Sequence, residues 1–107
     1  MSLLNSWFRN GVEVKVEPEH IYGSERGSSY RCPLALAIWP HLPKSVRVRV
    51  QSHHIEIDGK YHVTLPYNAQ KRVSTFDRSG KMEPFSFRVR LPHELAALWV
   101  KTASLVD

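Results

Sequence analysis

The chain has 107 residues, 42% apolar and 23% charged, which is the make-up of one globular domain with a modest core. No apolar run reaches the roughly 20 residues of a membrane span. The start MSLLNSWFRNG lacks a signal-peptide pattern, and one cysteine excludes an internal disulfide, so a cytoplasmic setting is expected. A formal charge of +5 favours anionic partners.

In chain order, Leu3, Leu4, Trp7 and Phe8 have the spacing of a short amphipathic turn, an N-terminal arm over 1–10 that must dock on something larger. VEVKVEP alternates cleanly and predicts a half-buried strand ended by Pro18. A loop rich in Gly, Ser and Arg follows over 22–31. It runs into CPLALAIWP, where Pro33 at a first turn and Pro40 beyond the end predict a short helix over 33–39. That helix is apolar on all sides, so it should sit beneath a sheet.

SVRVRVQ predicts a second strand, with Val46, Val48 and Val50 inward and Arg47 and Arg49 outward. HHIEIDGKYHVTL predicts a hairpin about a two-residue Asp58-Gly59 turn. A helix over 67–78 stops at Gly80, and EPFSFRVRLP gives the last strand, with Arg88 and Arg90 outward. A closing helix over about 93–105 lines up Leu95, Leu98, Trp99, Thr102 and Leu105. The expected fold is a single α+β domain over 1–107. Its antiparallel sheet has four to five strands, with two or three helices packed on one face.

Two places could hold an anion. The first is the loop, where Arg26 and Arg31 offer forked donors, Ser28 and Ser29 offer hydroxyls, Gly23 and Gly27 permit close approach, and Tyr22 and Tyr30 could stack on a base. The N–H groups of the following helix point the same way. Its blander alternative is a surface loop in which Arg26 pairs with Glu25 or caps a strand end. The second place is the sheet's outer face. If the two Arg-rich strands are neighbours, Arg47, Arg49, Arg88 and Arg90 form one patch suited to a nucleic acid backbone. Glu13, Glu17, Glu56 and Asp58 share that face and could neutralise it.

Catalysis is not expected. Cys32 stands at a helix start, but its apolar neighbours suggest a buried packing residue. His20, His41, His53, His54, His62 and His93 are scattered, with no metal-ligand spacing among them, and neither a metal nor a cofactor is expected.

His20-Ile21, Gly23, Arg26 and Ser28, followed by Cys32-Pro33-Leu34-Ala35-Leu36-Ala37, resemble a block in small bacteriophage proteins of unassigned function. The resemblance continues in Phe76-Asp77, Gly80, Pro84-Phe85 and Phe87, and covers roughly residues 12–91. It implies a phage or prophage origin, a host-cell cytoplasm and a small α+β fold, and it supplies no active site. Small phage proteins of this kind are often accessory factors acting against host defences. The leading expectation is therefore a non-enzymatic protein that sequesters a nucleotide or cyclic-nucleotide signal through the loop. The alternative is an inhibitor or regulator, in the manner of an anti-CRISPR protein, that binds a nucleic acid or a host defence nucleoprotein through the basic face. A third is a structural protein that self-associates through Leu3, Trp7, Phe8 and the closing helix; the apolar ends make a homo-oligomer reasonable in any of the three.

Overall fold

The structure, a computed structural model, describes residues 11–100. Its elements are β1 (Gly11–Val16), α1 (Pro18–Tyr22), α2 (Pro33–Ile38) with a 3-10 turn (Trp39–His41), β2 (Val48–Val50), β3 (His54–Ile57), β4 (Tyr61–Thr64), α3 (Tyr67–Ser79), β5 (Phe85–Arg90) and α4 (His93–Ala96). The α+β class and the antiparallel pairing are as the sequence predicts. The five strands divide, however, into two antiparallel sheets, β1–β5 and β2–β3–β4. β2, β3 and β4 form a local meander. β1 and β5 come from opposite ends of the described chain and pair in full register, from Gly11 opposite Arg90 to Val16 opposite Phe85.

α2 explains how two small sheets share one core. Pro33, Leu34, Ala35, Ala37 and Ile38 are buried, and the helix packs on both β1 and β2. Val14 and Phe87 from one sheet, and Val48, Val50, Ile55, Ile57 and Val63 from the other, belong to the same core cluster as the helix. Ala69 and Val73 bring the inner face of α3 into the same cluster. α2 has apolar side chains all round and so needs a covering layer on more than one side.

Three local features depart from the sequence reading. α1 occupies residues between the first strand and the loop, where the sequence reading assigns no element. Glu17 caps it, Pro18 opens it, and His20 Nδ1 accepts the Glu17 amide at 2.9 Å, in the place a Glu or Gln side chain usually takes. At the hairpin, Asp58 and Gly59 have φ of 60° and 66°, and the Lys60 amide donates to the Ile57 carbonyl at 3.1 Å. Pairing resumes with Ile57 opposite Tyr61, so Lys60 is an extra, bulged residue beyond the two-residue turn. The bulge is what keeps Tyr61 and Val63 on the same face as Ile55 and Ile57.

The closing helix is also shorter than predicted and ends at Ala96. Trp99 leaves the helical path to stack on His41, with ring centroids 4.4 Å apart and 5° between planes. The Val100 amide donates to the His41 carbonyl at 2.8 Å, and its own carbonyl lies 2.6 Å from His41 Nδ1. Tertiary pairing with the 3-10 turn outweighs the helical periodicity. Leu3, Leu4, Trp7, Phe8, Thr102 and Leu105 lie outside the described residues.

Leu34 is fully buried in α2. Leu34→Ala is expected to cost about 2–5 kcal/mol of stability, measured as a lower urea midpoint at unchanged m-value.

Candidate anion-binding cleft

The loop that precedes α2 is held by its own backbone. The Gly23 and Ser24 amides donate to the carbonyls of Glu19 and Ile21, the Ser28 amide to Glu25, and the Glu25 amide to Arg31 at 2.8 Å. The Arg31 amide donates to Ser28 Oγ at 3.2 Å. These groups therefore do not form an open nest for phosphate. One further bond fixes the loop in space. β2 is an edge strand, and on its side away from β3 the Val50 amide donates to the Ser29 carbonyl at 2.8 Å.

That bond sets Tyr30 beside Arg49 of β2 and Arg47 just before the strand. The guanidinium carbons of Arg47 and Arg49 each lie 5.8 Å from the Tyr30 ring centroid, at the outer limit of a cation–π contact. Beside them opens a cleft of about 420 Å³, lined by Tyr30, Arg31, Ala35, Trp39, Arg47 and Val48. α2 builds much of it. Tyr30 and Arg31 precede the helix, Ala35 lies within it and Trp39 follows it.

The six loop residues proposed from sequence are not gathered into one site. Tyr30 and Arg31 line the cleft. Tyr22 ends α1 with 87% of its surface exposed, and Gly23 follows it with φ of −85°, a conformation open to any residue. Ser28 accepts the Arg31 amide. Arg26 lies over Gly80, the left-handed cap of α3, where a Cβ would stand 3.0 Å from Nη1. A guanidinium there is favourably placed against the C-terminal end of the helix dipole. Within the loop it is Arg31, not Arg26, that pairs with Glu25, Nε to Oε2 at 3.0 Å.

The basic face is divided as well. Arg49 lies on β2 and Arg47 directly precedes it, while Arg88 and Arg90 lie on β5 in the other sheet, so no strand pairing joins the two pairs. The cause is that β2 pairs with its sequence neighbour β3, and β5 with β1. Arg49 contacts Glu56 Oε1 at 3.4 Å, and the Gln51 amide, turned with its oxygen toward it, accepts from Nε at 3.0 Å and Nη2 at 3.2 Å. Arg88 stands opposite Glu13. Among the described residues, no carboxylate lies within ion-pair distance of Arg47.

The N-terminus of α2 is closed off from solvent. Its first turn is buried, and Cys32 precedes it at 3% exposure. Burial pushes the Cys32 thiol up, with a smaller push from the Asp77 carboxylate, against a partial offset from the Ala35 and Leu34 backbone groups. At neutral pH this group stays a thiol, which suits packing and not nucleophilic chemistry.

Sequence reasoning missed Trp39. It is 46% exposed although it follows a fully apolar helix. The signal was Trp39-Pro40, which marks where the chain has to turn out of the core. A separate group of donors, His54, Glu56 and His62, converges on the β3–β4 hairpin. No protein-family model, curated protein or solved structure matches this chain.

Cys32 is expected to resist a thiol reagent such as DTNB in the native protein at pH 8 and to react fully in denaturant, followed by absorbance. Rapid native labelling would contradict the buried, thiol-state assignment.

Proposed function

We propose that this protein binds a nucleotide-type ligand, an anion carrying a planar ring, without catalysis. The observation that carries the reading is the cleft itself, in which two aromatic residues, Tyr30 and Trp39, and two arginines, Arg31 and Arg47, are among those lining about 420 Å³. That volume falls in the range of small-molecule sites. Aromatic faces accept a base by stacking, and guanidinium forks match phosphate oxygens. Arg47 is the primary phosphate donor in this reading. Arg31 is shared with Glu25 in an exposed pair, which is worth about 0–1 kcal/mol and so is readily given up to a phosphate.

The basic sheet face has less support as a nucleic-acid surface, since no strand pairing joins Arg47 and Arg49 to Arg88 and Arg90, and Arg49 is engaged with Glu56 and Gln51. In the phage context that the sequence resemblance implies, the protein acts in the host cytoplasm as an accessory, anti-defence factor that withdraws a nucleotide signal.

The test is a calorimetric titration against mononucleotides, cyclic mononucleotides and cyclic dinucleotides. Saturable binding is expected for at least one, weakened about 10-fold or more by Arg47→Ala or Trp39→Ala, in line with the loss of a charge-assisted bond or a stacked ring. Arg26→Ala should leave it unchanged. A flat response across the panel would sink the reading, as would steeply salt-dependent binding to random duplex DNA alone.

A further inference from the structure

We propose that the outer face of the β3–β4 hairpin is a binding site for a divalent transition-metal ion of the zinc type, held by His54, Glu56 and His62. The strand geometry brings these three together. His54 and Glu56 are two residues apart on β3 and share a face. His62 on β4 stands directly opposite Glu56, and His54 pairs with Thr64, which puts the two imidazoles diagonal to each other. Their ring centroids are 5.1 Å apart at 76°.

One ligand atom from each of the three residues lies within 4.8 Å of those of the other two. Metal bonds of roughly 2.0–2.2 Å need donors no farther apart than about 4.4 Å. Side-chain rotation alone closes that gap, since the backbone is fixed by the hairpin ladder.

The donor set narrows the ion. Two imidazoles and one carboxylate suit zinc, nickel or copper, and not magnesium or calcium, which prefer oxygen. Three protein donors leave at least one position for water. Arg49 is a neighbouring cation that an ion must contend with. It reaches Glu56 through Oε1 at 3.4 Å, a long contact, and has the Gln51 oxygen as a second acceptor. The other carboxylate oxygen, Oε2, lies toward Gly59 at the turn, 3.7 Å from where a Cβ there would stand.

The bulged Lys60 is what makes the site. With pairing shifted by that residue, His62 shares a face with Glu56; a strict two-residue turn would have put it opposite Ile55. This inference is independent of the cleft, since none of the three donors lines it.

The test is calorimetry of the untagged, full chain, freed of metal with EDTA and titrated with zinc chloride. One ion per chain is expected, with affinity lowered about 10-fold or more by His54→Ala and by His62→Ala, and unchanged by His53→Ala, next to the cluster in sequence but outside it. Arg49→Ala should not weaken binding. In the wild-type protein, zinc should shift the imidazole resonances of His54 and His62 and leave those of His20 and His93 in place. The proposal is overturned if zinc does not bind saturably at one per chain, if His62→Ala binds as tightly as wild type, or if the shifted resonances belong to other histidines.

Discussion

Burial of α2 is the constraint on which the rest of this structure depends. A six-residue helix is too short to persist alone. It exists here because its apolar sides are covered, by β1 on one sheet and β2 on the other. Both sheets are small, and a two-stranded pair such as β1–β5 is marginal without something to pack against. The helix therefore stabilises the sheets and the sheets stabilise the helix. Its position also fixes the cleft, because the chain must enter through Tyr30 and Arg31 and leave through Trp39, whose ring the following turn leaves half in solvent.

Charge is arranged around that frame in unequal ways. Glu25 holds Arg31, Glu56 and Gln51 hold Arg49, and Arg26 lies over the last turn of α3. The exposed pair of Glu25 and Arg31 adds little stability, but such contacts fix where guanidinium groups rest when no ligand competes. Arg47 differs in having, among the described residues, no carboxylate within ion-pair distance; its near neighbour is the Tyr30 ring, which it shares with Arg49. This makes the position of Tyr30 central to the cleft, and that position follows from a single backbone bond between the Val50 amide and the Ser29 carbonyl. The same bond covers part of an edge strand that would otherwise offer an unpaired amide to another chain.

The two candidate sites lie on opposite sides of one principle, that side chains acquire chemistry only through register. In the hairpin, an extra residue after the turn sets the face of every side chain on β4. In the loop, the backbone closes on itself, so its serines and glycines, suggestive in sequence, stabilise the loop and leave its side chains to do any binding.

Much of this was legible in the sequence. Alternation in VEVKV, HIEI and FSFRV identified the strands and their inward residues, because burial on one face of a pleat imposes a period of two whatever the partner strand is. Pro33 and Pro40 bracketed α2, and Gly80 with φ of 75° stopped α3, because those residues restrict or permit backbone angles locally. Cys32 was readable as a packing residue from its neighbours alone. The tertiary structure decided what depends on distant partners: that β5 pairs with β1 and not β2, that Trp99 leaves its helix for His41, that Arg26 goes to Gly80, and that Tyr30, Trp39 and Arg47 share a cleft. Local conformational preference and one-sided burial act over a few residues and are written in order along the chain. Strand pairing and side-chain association are settled by contacts between segments far apart in sequence, and the pattern of one segment does not specify its partner.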